Sequence, residues 1–108
     1  MKKLMLLETV LRRRGGGSTA PPDAPTGLSA TVISTSRIDL AWTDAATTET
    51  EYRVYRSTDG VSYSLLTTLA ANSNSHSDTT ISAGTTYYYK VGSYNAGGES
   101  LSSAVSAN

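Results

Sequence analysis

The sequence contains no cysteine, no phenylalanine and a single histidine, His76, and these absences narrow its chemistry before any pattern is sought. Without thiols there is no disulfide framework, no thiolate zinc site, no iron–sulfur ligation and no cysteine nucleophile, while the redox compartment stays open because a cysteine-free chain tolerates either. One imidazole also rules out a multi-histidine metal site or a histidine-based triad with spare ligands, so no cofactor is expected. Long apolar runs are missing too. Leu4 to Leu7 is interrupted by Glu8, well short of the roughly 20 residues of a membrane span and of the about 7–15 of a signal-peptide apolar region. Lysine is scarce beyond the first three residues, with Lys90 alone.

The zero net charge of the 108 residues hides an asymmetry. Lys2, Lys3, Arg12, Arg13 and Arg14 outweigh Glu8 in residues 1–17, whereas residues 18–108 hold four basic and eight acidic side chains. The body is therefore mildly acidic and offers no basic stripe to nucleic acid. Of the 85 residues from Ala24 onward, 29 are Ser or Thr, so its surface is polar by hydroxyls more than by charge, as suits an extracellular module. A chain of this length makes one domain that buries about two-thirds of its unfolded surface, enough for a modest core without metal or disulfide.

Three segments differ in composition. Residues 1–14, MKKLMLLETVLRRR, are good helix formers, but Glu8 and Arg12 intrude on the Leu4, Leu7 and Leu11 face. A free helix of that length is marginal in water, so a frayed or disordered leader is expected, one that reads either as appended or as an atypical natural leader. Residues 15–23, from Gly15-Gly16-Gly17-Ser18 to the Pro21-Pro22 pair, form a linker that stiffens toward its end. From Ala24 the pattern becomes short alternating runs bounded by Gly, Asn, Asp and Ser, the signature of antiparallel strands.

Seven strands are predicted, at Leu28–Ser34, Arg37–Thr43, Glu51–Ser57, Tyr63–Leu69, Ser75–Thr80, Thr86–Tyr94 and Leu101–Val105. With no helical period between them, they argue for an all-β, antiparallel β-sandwich. Alternation assigns Trp42, Tyr52, Tyr87, Tyr89 and Val91 to the core. Asp59-Gly60 and Asn95 to Gly98 supply turns, because Gly and Asn tolerate left-handed backbone at low cost.

Four stretches carry a resemblance. Ala24-Pro-Thr-Gly-Leu28 resembles the opening strand of a fibronectin type III domain, and Ile38-x-Leu40-x-Trp42 its second strand with the core tryptophan. Tyr52-Arg-Val-Tyr-Arg-Ser57 followed by Asp59-Gly60 is similar to the third strand and turn of bacterial members. Ile81-x-x-Gly84-Thr85-x-Tyr87-x-Tyr89-x-Val91-x-Ser93-x-Asn95-x-x-Gly98 tracks the family pattern through the sixth strand. The resemblance spans Ala24 to about Ala107 and places Tyr87 at the tyrosine corner, where the hydroxyl meets backbone just upstream. The family's integrin-binding Arg-Gly-Asp tripeptide is absent here.

The same alternation sets Tyr88, Lys90 and Tyr94 on the outer face of the sixth strand, beside Arg53 and Tyr55 of the third. Such tyrosines either stack on sugar rings or a protein partner, or stabilise the sheet as cross-strand pairs. Asp44, Glu49 and Glu51 are a carboxylate cluster that could be read as glycosidase chemistry. A sandwich this small has no rigid cleft for it, so they are expected to be solvated, and His76 to be an exposed strand-edge residue; no enzyme is expected. The resemblance implies a seven-stranded immunoglobulin-like sandwich serving as a secreted, non-catalytic spacer or interaction module from a multidomain bacterial protein of polysaccharide degradation, with polysaccharide or neighbouring domains as partners. Proline near the first strand and small polar residues in the last discourage edge pairing, so a monomer is expected. The alternatives are a protein-binding module, natural or engineered, that uses the loops at residues 44–50 and 95–100, or a carrier of the basic leader peptide.

Overall fold

A computed structural model describes residues 20–108. The expectations for the leader 1–14 and for residues 15–19 of the linker lie outside the described residues. Within them the chain folds as eight strands: β1 (Thr26–Ser34), β2 (Arg37–Thr43), β3 (Glu51–Ser57), β4 (Ser64–Ala70), β5 (Ser75–Asp78), β6 (Tyr87–Asn95), β7 (Gly98–Leu101) and β8 (Val105–Ala107). They form two antiparallel sheets. One has the order β1-β2-β5; the other has the order β4-β3-β6-β7, with β8 also on β6.

The period-two pattern explains the layering. Ile38, Leu40 and Trp42 of β2 are buried while their neighbours face outward, and the same alternation buries Tyr52 and Val54 of β3 and Tyr87, Tyr89 and Val91 of β6. These eight side chains form one core between the sheets, with Leu28, Leu66, Leu69, Ile81 and Val105 packed around it. Each fully buried aliphatic side chain adds about 1.5–3 kcal/mol relative to exposure, enough for a two-layer domain to hold together without covalent help.

The single last strand predicted at Leu101–Val105 is instead two strands, and its predicted centre is the gap between them. At Ser102 the side chain replaces the ladder: the Val91 N–H donates to Ser102 Oγ at 3.0 Å, and the Ser102 N–H returns a bond to the Val91 carbonyl at 2.8 Å. A hydroxyl that satisfies the neighbouring strand lets the chain step out of register without orphaning a buried donor. The fifth strand also ends earlier than predicted, at Asp78, because the Asp78 carboxylate takes the Thr80 N–H at 3.0 Å and turns the chain.

Candidate functional site

The outer face of the five-stranded sheet carries the residues picked as a possible binding surface. In register, Glu51 lies opposite Tyr94, which lies opposite Glu99; Arg53 lies opposite Gly92 and then Leu101; Tyr55 lies opposite Lys90; and Ser57 lies opposite Tyr88. Arg53, Tyr55, Lys90 and Tyr94 thus share one continuous patch, all half-buried. Tyr88 stands at the far end, its ring 3.4 Å from where a Cβ on Gly60 would lie, packed over the Asp59-Gly60 turn.

These side chains bind one another. The Arg53 guanidinium lies 3.7 Å from the Tyr94 ring centroid, and its Nε donates to Glu51 Oε2 at 2.6 Å. The bond to Glu51 pushes the Arg53 pKa up. Lys90 Nζ sits 4.7 Å from the Tyr63 ring centroid. The Tyr55 hydroxyl donates to Glu99 Oε2 at 2.7 Å, and burial, together with that carboxylate, raises its pKa. Gly92 makes this contact possible. A Cβ at that position would overlap the Glu99 carboxylate and come within 2.9 Å of Leu101 Cδ2, so the missing side chain opens the lane in which Glu99 crosses the sheet. The sequence pattern puts Glu99 in the 95–100 loop; the pairing of β7 with β6, which sets it opposite Tyr94, is what brings it to the patch.

Inside, every large aromatic of the core has a partner for its polar atom. Trp42 Nε1 donates to the Ser73 carbonyl at 3.0 Å, the Tyr52 hydroxyl to Asp44, and the Tyr89 hydroxyl to Asp78 Oδ2 at 2.8 Å. Tyr87 accepts instead, from the Ser82 N–H at 2.9 Å, a bond that lowers its pKa. Burial and the carboxylate partners push the Tyr52 and Tyr89 hydroxyls well above the usual phenol range.

Asp78, which no sequence motif marks, is the most heavily bonded carboxylate among the described residues. It is 2% exposed and takes donors from Tyr89, from the Thr80 N–H and hydroxyl, and from Arg56 Nη1 at 3.0 Å. Burial alone would raise its pKa, but the Thr80, Tyr89 and Arg56 donors together hold it below the ordinary carboxylate range. Arg56 belongs to β3 and Asp78 to β5, so the pair joins the two sheets.

The carboxylate cluster needs correction. Glu49 is not solvated: it is 8% exposed and accepts the Asn72 N–H at 3.0 Å, where Asn72 turns with φ of 69°. Asp44 takes the Tyr52 hydroxyl and Glu51 takes Arg53, so the three acids serve three separate donors. His76 is likewise half-buried rather than exposed, on the edge strand β5 opposite Leu40 and hence on the core-facing side. Among the described residues no three His, Asp or Glu side chains are grouped to hold a metal. No helix among them is long and apolar enough to cross a membrane.

Comparison with known proteins agrees with this geometry. A poly(3-hydroxybutyrate) depolymerase from Ralstonia pickettii is 34% identical over 97 residues, which cover 88% of this chain but 18% of the enzyme. A solved Fn3-like protein from Clostridium thermocellum is 36% identical with a TM-score of 0.68, covering 81% of this chain and 92% of that one. A β-1,2-glucanase from Parabacteroides distasonis superposes with a TM-score of 0.71 at 29% identity, over 84% of this chain and 13% of the glucanase. Residues 23–108 match the family profile described as the fibronectin type III domain, and the chain belongs to that family.

Proposed function

We propose that the chain is a non-catalytic, extracellular spacer and interaction module of a multidomain enzyme that degrades a polymer. Residues 24–108 form the working unit in this reading, with residues 15–23 linking it to the basic leader 1–14, and the unit acts as a monomer. The observation that carries the reading is the state of the outer face. Arg53, Tyr55, Lys90 and Tyr94 are engaged by Glu51, Glu99, Tyr63 and one another, so the patch is spent on cross-strand contacts within the sheet. Domains like this one make up 18% of the depolymerase and 13% of the glucanase, which supports a minor, connecting part in such enzymes.

Titration of the ¹⁵N-labelled chain with chitin, cellulose and 3-hydroxybutyrate oligomers tests the reading. No shift of the Tyr55, Tyr88 and Tyr94 amides at millimolar ligand is expected. Saturable shifts at those three positions would replace the spacer with a substrate-binding platform. Sedimentation velocity checks the monomer, for which the uncharged edge strand β4, with Leu65 53% exposed, is the most demanding feature.

A further inference from the structure

The inward alternation of β6 continues past Val91 to Ser93 and Asn95, which are fully buried although polar. Their side-chain donors reach the segment that precedes β1, and also the β2–β3 loop. Ser93 Oγ donates to the Asp23 carbonyl at 2.5 Å, and Asn95 Nδ2 donates to the Ala20 carbonyl at 3.0 Å and to the Thr48 carbonyl at 3.2 Å. Asn95 Oδ1 faces the other way and accepts the Gly97 N–H at 2.7 Å, which fixes the amide's orientation. Pro22 is buried, and the Pro21 ring lies 3.1 Å from where a Cβ on Gly98 would stand, at a φ of 139° that only glycine adopts readily.

We infer that Ala20 to Asp23 are a docked lead-in, held in a notch built from Ser93, Asn95 and Gly98 that recognises a proline pair flanked by free carbonyls. The chemistry matches on both sides. Two consecutive prolines have no N–H to donate, so such a segment can be gripped through its carbonyls and its rings alone. The notch offers side-chain donors for the two flanking carbonyls and a side-chain-free glycine for one ring. The prolines' fixed φ also lowers the entropy lost on docking. In consequence the anchored part of the domain extends N-terminally of β1 as far as Ala20 at least, and whatever precedes Ala20 is attached to an anchored stub. The purpose of that anchoring, a set direction for a neighbouring module, rests on the spacer reading; the docking itself does not.

The test is the ¹⁵N heteronuclear NOE of the full chain. Ala20 and Asp23 are expected to give values in the range of the β6 amides. Asn95→Asp keeps the acceptor for Gly97 but faces the Ala20 carbonyl with a second acceptor, and it is expected to drop the Ala20 value to that of a mobile tail while β3 and β6 are unchanged. Should Asn95→Asp fail to fold, Pro21→Gly leaves the sandwich untouched and is expected to loosen Ala20 in the same way. A mobile-tail value at Ala20 in the parent chain, or no change in either variant, overturns the inference. The absence of cysteine allows a single spin label at Ala20→Cys. Broadening of Gly97 and Gly98 within isotopically diluted chains supports docking in cis, whereas broadening seen only between mixed chains means a second copy's segment fills the notch and overturns it. Sugar-induced shifts at Tyr55, Tyr88 and Tyr94 would sink the spacer reading without touching these results.

Discussion

The two faces of the β3–β6 pair use the same residue types to different ends. On the inner face Tyr89 gives its hydroxyl to Asp78, a carboxylate shut away from water and shared with Arg56 and Thr80. On the outer face Tyr55 gives its hydroxyl to Glu99, and Arg53 covers Tyr94, all with water at hand. The bond lengths are nearly equal, at 2.8 and 2.7 Å. What differs is the alternative: a partner lost inside leaves a charge that water cannot reach, whereas outside, water replaces it. Hydrogen-bond geometry alone therefore does not rank these contacts. Burial of the acceptor does.

Substitutions can separate the faces. Tyr89→Ala removes both the ring and the donor from the core and is expected to cost about 3–5 kcal/mol in urea denaturation. Tyr89→Phe isolates the hydroxyl and should cost about 1.5–3 kcal/mol, the range for hydrogen bonds to charged groups. That second penalty depends on pH. Because the Asp78 pKa is lowered on folding, its stabilisation is complete above the unfolded value of about 3.9 and disappears as pH falls through the folded value. The urea midpoints of parent and Tyr89→Phe should therefore converge in acid, and a gap independent of pH would show that Asp78 is not the acceptor that matters.

Gly92→Ala is the outer-face change with a large expected effect, about 1–3 kcal/mol, since the added methyl must evict Glu99 and press on Leu101. Its checkable signature is an altered Tyr55 environment by NMR together with the lowered midpoint. Tyr55→Phe, in contrast, should cost at most about 1 kcal/mol. If it rivals Tyr89→Phe, the outer face is drier than its exposure indicates. Arg53→Ala should have the smallest effect, a slight lowering of the melting temperature that shrinks as salt is raised, because its pair with Glu51 is open to water and screened.

Local alternation made much of the fold legible. β2 and β3 begin and end where the pattern of Ile38, Leu40, Trp42 and of Tyr52, Val54 places them. The patch on the outer face was legible for the same reason, since the parity that buries Tyr89 must expose Lys90 and Tyr88. What escaped depends on which strands become neighbours. Arg56 and Asp78 are 22 positions apart and meet only because β3 and β5 lie in facing sheets. Glu49 reads as a loop acid until the β4–β5 turn brings the Asn72 N–H to it. The break at Ser102 replaces a ladder bond with a side-chain bond, which no period-two pattern registers.

The placement of the chain's described ends along β6 has a dimensional consequence. Ala20 is tied to Asn95 at one end of that strand, and Asn108 is tied to Thr86 just before the other, by a bond of 3.1 Å from its Nδ2. Nine residue steps at about 3.3 Å each put these ends roughly 30 Å apart. A chain passing through the domain thus advances by one strand length without doubling back. A segment attached at each described end would therefore leave from opposite ends of β6, held apart by about the length of that one strand.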